Sequence, residues 1–110
     1  MLKHHLVAFA LLAVLVAPVA APAAEPTYTL IIKDRKFDVA ELQVPANTKL
    51  TLTVKNLDTV PAEFESSDLN REKVVVGGGT IKIYLGPLAP GRYVFFNDFN
   101  PKAHGIIVAK

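Results

Sequence analysis

Apolar and polar residues alternate with a period of two along most of the chain after its first two dozen residues. Residues 50–55 place Leu, Leu and Val between Thr, Thr and Lys, and residues 80–85 show a similar alternation. Because successive side chains of a strand point to opposite faces, each stretch predicts a strand with one buried and one solvated face. We expect about seven short strands and therefore predict an all-β fold, an antiparallel Greek-key β-sandwich.

Turn-forming residues separate these predicted strands. The "GPLAPG" segment at 86–91 contains two prolines that fix φ and leaves Gly91 free to adopt a positive φ. The three glycines at 77–79 predict a bulge or a hairpin turn. The segment "SSDLNREK" at 66–73 is expected to form a single helical turn capped by Ser67 or Asp68.

The N-terminal segment has the three parts of a secretory signal. Lys3 gives a basic start, residues 6–16 form an apolar run, and the Ala21-Pro22-Ala23 sequence is a small-residue cleavage site. We therefore predict a signal peptide at 1–23, a linker at 24–27 and a single domain at 28–110, located in the periplasm. The alternative is an uncleaved N-terminal anchor, for which the apolar run is short.

Charge and composition narrow the range of functions. Twelve Lys and Arg residues stand against ten Asp and Glu, and no basic block or stripe occurs, so we expect no nucleic-acid partner. The chain contains no Cys, and only one of its three His residues, His104, lies outside the predicted signal. The sequence also has no nucleophilic Ser motif, three-histidine metal cage or phosphate-binding loop, so we do not expect an enzyme.

Two segments, in the order that the predicted strands require, resemble cupredoxins. "VKNLDTVPAEFE" at 54–65 is similar to the segment that leads to a ligand His, and "PGRYVFFNDFNPKAHGIIVAK" at 90–110 resembles the loop that carries Cys, His and Met ligands. The resemblance implies a cupredoxin-like sandwich over residues 28–110. The ligand positions of the family fall on residues of a different kind: Ala62, Asn97, Asn100 and, near the Met position, His104. Because a blue-copper centre needs a thiolate and two imidazoles, no type 1 blue copper is expected.

A narrower resemblance points to iron. The strings "PAEFESSDLNREKVV", "GPLAPGRYVFF" and "NDFNP" look like the exported cupredoxin-like proteins of bacterial iron uptake, of the Efe and Ftr types. This resemblance implies a periplasmic protein that binds iron or Cu(II) through carboxylates. It also implies that the partners are a membrane iron permease and other periplasmic iron-transport components.

Glu63 and Glu65 are the first predicted metal ligands. They flank Phe64, so both carboxylates share one face of a strand. Two like charges at this spacing raise a pKa unless a cation lies between them, and that cation is either a metal ion or a Lys or Arg of the "LNREK" segment. A plain solvated strand face also explains alternating Glu residues. Because Ala62 shares its face with Phe64, the pair is expected to point away from the cupredoxin copper position unless the strand bulges.

Asp98 and His104 complete the predicted ligand set, as a loop carboxylate and the one imidazole outside the signal. The alternatives are that Asp98 only caps a turn and that His104 is a surface or hydrogen-bonded residue, or a pH-sensitive group beside the ligands. Glu72 is expected either to share a helix face with Asp68 or to pair locally with Lys73 or Arg71. The secondary candidates are polar residues of the neighbouring segments: Asp68, Glu72, Asn97 and Asn100.

These observations lead to one leading hypothesis and two alternatives. The leading hypothesis is a periplasmic protein that binds iron or Cu(II) and acts as an accessory of a ferrous iron transport system. The first alternative is a metal-free interaction module that docks a membrane permease. The second is a periplasmic copper carrier, although the lack of Cys, and of Met beyond the predicted signal, makes Cu(I) an unsuitable cargo.

Overall fold

The computed structural model describes residues 3–18 and 24–110. Residues 3–18 are exposed and contain no helix or strand, and the predicted cleavage site lies outside the described residues. In the described ranges, no helix is both long and apolar enough to cross a bilayer. The described residues contain nine strands: β1 (Thr27–Lys33), β2 (Lys36–Phe37), β3 (Glu41–Val44), β4 (Leu50–Asn56), β5 (Ala62–Ser66), β6 (Arg71–Val75), β7 (Thr80–Leu85), β8 (Gly91–Asn97) and β9 (Asn100–Ala109).

The strands form two sheets that enclose one core. The four-stranded sheet has the order β2-β1-β4-β7, and the five-stranded sheet has the order β3-β9-β8-β5-β6. The predicted all-β sandwich is confirmed, although two of the strand pairs, β1 with β4 and β3 with β9, are parallel. All nine strands and the buried core lie within residues 24–110, so this segment has a core of its own.

The core consists of the apolar residues that the period-two pattern selects. Leu50, Leu52 and Val54 of β4 are each buried to 99% or more. On the inner face of the five-stranded sheet, the rings of Phe64 and Phe95 stack with centroids 5.4 Å apart. Aliphatic and aromatic side chains of this size supply most of the favourable free energy of folding in a small domain.

The sequence predicted a single helical turn at 66–73, and this prediction is wrong. Residues 67–70 form a turn between strands, and Arg71 begins β6. Asp68 and Glu72 therefore do not share the face of a helix. The hydroxyl of Ser66, rather than a side chain at 67 or 68, accepts a hydrogen bond from the Leu69 amide at 3.1 Å.

Two turn predictions also need correction. In "GPLAPG" the positive φ falls on Gly86, at 88°, and not on Gly91, which begins β8. A Cβ at position 86 would lie 2.6 Å from the carbonyl oxygen of Thr48, so this turn needs glycine on both counts. The glycines at 77–79 connect β6 to β7, which belong to different sheets, so they do not form a hairpin.

Asn56 organises the end of the sandwich at which the candidate site lies. Its side-chain Nδ2 donates to the carbonyls of Val60 at 2.8 Å and Val75 at 3.2 Å, and its Oδ1 accepts from the amide of Asp58 at 3.0 Å. One buried side chain thus joins the end of β4 to the loop before β5 and to the end of β6. This contact fixes the position of β5 relative to β6.

Candidate metal centre

Three glutamates meet on the outer face of the five-stranded sheet. Glu63 and Glu65 lie on β5, Glu72 lies on β6, and one carboxylate oxygen from each lies within 4.8 Å of the others. Phe64 is fully buried, so its two neighbours point outward together, as the alternation predicts. Glu72 comes to the group because it is paired directly opposite Glu65 in the ladder of β5 and β6.

Glu63 is the most enclosed member of this glutamate cluster. Its side chain is only 7% exposed, and its Oε1 is buried without a hydrogen-bond partner. The backbone on either side is fixed: the amide of Glu63 donates to Asn97 Oδ1 at 3.0 Å, and its carbonyl accepts from the amide of Asp98 at 3.0 Å. A buried, unpaired carboxylate oxygen is costly, so its persistence calls for a physical reason.

The glutamates raise one another's pKa values. The pKa of Glu63 rises from 4.5 to about 7, chiefly because it shares a hydrogen bond with the Glu72 carboxyl, and further because of burial and the charges of Glu72, Asp98 and Glu65. That hydrogen bond needs a proton on one of the two carboxyls. The pKa of Glu65 is also raised, first by burial and then by the charges of Asp98 and Glu72. The cluster therefore holds negative charge that its surroundings do not neutralise.

No nearby cation neutralises the cluster. Within residues 3–18 and 24–110, the one ion pair joins Arg92 to Glu41 at 3.5 Å. Arg71 instead donates to the carbonyl of Tyr84 at 3.1 Å, and Lys73 donates to the carbonyl of Lys82 at 3.3 Å. The expected pairing of Glu72 with Lys73 or Arg71 is thus wrong. A surface cavity of about 180 Å³ borders Glu65 and Glu72 and gives solutes access to the cluster.

His104 does not join the glutamates within one chain. It is paired opposite Phe96 on β9 and β8, and Phe96 is paired opposite Glu65. Because adjacent strands are about 4.8 Å apart, the backbones of His104 and Glu65 are separated by roughly 10 Å, with Phe96 between them. His104 Nδ1 lies 3.0 Å from the carbonyl of Lys102 instead. The predicted set of four ligands therefore does not assemble around one point, and a metal role for His104 remains a prediction.

The other predicted polar residues make structural contacts near the cluster. Asn97 is buried, and its Oδ1 accepts from the amides of both Glu63 and Phe99. Asn100 donates to the carbonyl of Arg35 at 3.1 Å. Asp68 accepts from the amide of Val94 at 2.8 Å, on the side of the turn away from Glu72. The contacts of these residues with the backbone account for their presence.

Glu72 was only a secondary candidate in the sequence analysis, whereas the structure places it in the glutamate cluster. The sequence "REKVV" has no apolar–polar alternation, because residues 71–73 are all polar and Val74 and Val75 are adjacent, and only Val75 is buried. No local signal therefore identified the strand face that carries the Glu72 carboxylate. Which residue Glu72 faces depends on strand pairing, which no local pattern encodes.

A blue-copper centre requires a cysteine thiolate among its ligands. The chain has no Cys to provide a thiolate. Of the residues that the sequence resemblance aligns with cupredoxin ligands, Ala62 is buried and has no side-chain atom that could bind a metal. The Oδ1 atom of Asn97 already accepts hydrogen bonds from two backbone amides. The glutamate cluster offers oxygen donors only, which suit hard or borderline ions rather than Cu(I).

Comparison with known proteins identifies relatives. The family model described as a cupredoxin-like domain matches residues 6–109. An uncharacterized protein of Rickettsia prowazekii (strain Madrid E) is 45% identical over 80 residues, which span 72% of this chain but only 64% of the relative.

Solved structures of similar fold include three cupredoxins. Auracyanin A, a "blue" copper protein from the green thermophilic photosynthetic bacterium Chloroflexus aurantiacus, aligns with a TM-score of 0.67 and 16% identity, covering 79% of this chain and 100% of that one. A purple cupredoxin from Nitrosopumilus maritimus gives 0.60 and 21%, covering 74% and 98%. Amicyanin from Paracoccus versutus gives 0.61 and 16%, covering 82% and 85%. At these identities the likeness concerns the fold alone.

Proposed function

This chain belongs to the cupredoxin-like family, and on that premise we propose that it binds an iron or Cu(II) ion on a carboxylate cluster instead of a blue-copper centre. The ligands in this proposal are Glu63, Glu65 and Glu72. Asp98, in the turn beside them, adds negative charge. The proposal retains the hard-ion character expected from the sequence, and Glu72 takes the place of Asp98 and His104 in the ligand set.

The observation that carries the proposal is the unpaired Oε1 of Glu63. A carboxylate oxygen buried among two other carboxylates is unfavourable in the free protein. A di- or trivalent ion would supply the missing charge and the missing contact together. In that arrangement Asn97, which fixes the backbone of Glu63, would position one ligand, and the register of β5 and β6 would position the other two.

We further propose that the protein acts in the periplasm as an accessory of a ferrous iron transport system, with a membrane iron permease among its partners. The secretory pattern of residues 1–23 supports export. The resemblance of residues 61–75 and 86–101 to exported iron-uptake proteins supports the pathway. The oxygen-only donor set also favours iron over a Cu(I) cargo.

Calorimetric titration of residues 24–110 with Fe(II), Fe(III), Cu(II) and Mn(II) tests metal binding directly. We expect one ion per chain, bound with better than millimolar affinity, and competition by excess Ca(II) or Mg(II) measures selectivity. Glu63→Gln and Glu72→Gln should each weaken binding at least about tenfold, as loss of one charged ligand implies. Glu41→Gln is the matched control, because Glu41 is on the same sheet and its carboxylate pairs with Arg92 rather than with the cluster. Unchanged binding in the cluster variants would overturn the proposal.

A metal-free docking module is the second candidate function, favoured by an apolar loop end. Leu57, Val60, Val76 and Phe99 are between 45% and 65% exposed, in loops at the same end of the sandwich. Growth under iron limitation separates the two functions. A Glu63→Gln chain should fail to complement a deletion strain if the metal is essential, and it should complement fully if the protein only docks a permease.

A further inference from the structure

The outer face of the five-stranded sheet carries an apolar column between an acidic and a basic one. Val94 and Phe96 of β8 form the apolar column, because Phe95 between them is fully buried and points inward. Val94 is 44% exposed, and Ile106 of β9 lies opposite it and extends the apolar surface. In a sandwich this face is on the outside, and no other element of the described chain covers it.

The two strands next to β8, which are β5 and β9, carry outward-facing side chains of opposite charge. On β5, Glu63 and Glu65 face outward. On β9, Lys102 and His104 face outward, because Ala103 and the position of Gly105 are buried. The strand order β9-β8-β5 therefore puts the basic column one strand to one side of β8 and the acidic column one strand to the other.

We propose that two copies of this chain pack together through this face, about a two-fold axis parallel to β8. Such an axis places β5 of one copy over β9 of the other. His104 of each copy then faces Glu65 of the second copy, and the two Phe96 rings meet on the axis, because Glu65, Phe96 and His104 are paired side by side across the three strands. The interface is self-complementary, as a two-fold homodimer requires.

The dimensions allow these contacts. Packed sheets are about 10 Å apart, a gap that an extended Glu and a His side chain span together. A cavity of about 260 Å³ beside Val94 and Phe96 leaves room for an aromatic ring of the second copy. Arg92 also lies on β8, so the two-fold axis brings the Arg92 side chains of the two copies near each other. The positive charge of each Arg92 is compensated by Glu41 of the same copy, 3.5 Å away.

This dimer goes beyond the proposed function and does not depend on a bound metal. It also has a consequence for the cluster, because it brings an imidazole to carboxylates that a single chain leaves without one. The charge pattern makes the pairing testable by exchange of charges between copies. Tests of the dimer are run with a chelator, so that metal binding and dimerisation fail or succeed separately.

Sedimentation equilibrium of residues 24–110 up to about 1 mM measures the association. We expect a dimer with a dissociation constant below about 100 μM. Glu65→Lys and His104→Glu should each weaken the homodimer by about tenfold, because each removes both Glu–His contacts and places a Lys against the imidazole or a second carboxylate against Glu65. An equimolar mixture of the two variants should associate at least as tightly as the wild type, since one contact is restored by the exchanged charges and the other is native.

Lys55→Glu, on the outer face of the other sheet, is the control and should leave the association unchanged. Recovery of association in the mixture also shows that both variants are folded. Three results would each overturn the proposal: a wild-type monomer at all concentrations, a mixture no tighter than either variant alone, or an equal loss with Lys55→Glu.

Discussion

Replacing Asn97 with Ala should destabilise the domain by about 2–4 kcal/mol. The change removes the acceptor of two backbone amides, those of Glu63 at 3.0 Å and Phe99 at 3.1 Å. The Glu63 contact is buried, so leaving its amide unpaired costs about 1–3 kcal/mol. The Phe99 amide is partly accessible and regains water, so its loss costs about 0.5–1.5 kcal/mol. The small cavity left by the amide group adds to the loss.

Urea unfolding followed by far-ultraviolet circular dichroism measures this free energy, with the m-value serving to check that unfolding remains two-state. Asn100→Ala is the matched control, because its side chain makes one exposed hydrogen bond, to the carbonyl of Arg35. We expect the control to lose no more than about 1 kcal/mol. A loss below about 1 kcal/mol for Asn97→Ala, or one equal to that of the control, would refute the role of Asn97 as the support of Glu63.

Three further predictions concern packing, pH and copper. Gly105→Ala should cost about 1–3 kcal/mol of stability in the same assay, because a Cβ at this position would lie 2.8 Å from Cε2 of the enclosed Phe95 ring. Gly91→Ala is the control and should be nearly neutral, because a Cβ at position 91 would lie 3.7 Å from its nearest atom. The raised pKa of Glu63 means that the folded state retains its proton more strongly than the unfolded state, so this stabilising contribution is present below pH 4.5 and is lost as the pH rises to about 7. Urea titrations across that window should show Glu63→Gln gaining stability relative to the wild type, and a constant difference would contradict the assignment. Adding Cu(II) should produce no intense blue absorption band, because no thiolate is present to ligate it.

The sandwich and its core were predictable because they follow from local alternation. The alternation in residues 50–55 and 80–85 predicts which side chains face inward, and these side chains are buried except that of Ile81, which is partly buried. The parallel pairing of β1 with β4 was not predictable in this way. It joins residues more than twenty positions apart, and many strand orders satisfy the same alternation.

The candidate site shows the same division between local and distant information. Glu63 and Glu65 share a face because they are two residues apart in a strand. The arrival of Glu72 depends on the register of β5 against β6, which the turn at 67–70 sets. The separation of His104 from the glutamates follows from strand order, because β8 lies between β9 and β5. Sequence reasoning therefore identified the donors more easily than their grouping.

The contacts of Arg71 and Lys73 with β7 also bear on aggregation. β7 is the last strand of its sheet, and the free backbone groups of a terminal strand are a template on which other chains add strands. Here two positively charged side chains bond to the carbonyls of Tyr84 and Lys82 along that border. They occupy the acceptors that an incoming strand would need and place charge in its path. The same two side chains that join β6 to β7 thus hinder the addition of a further strand at this border.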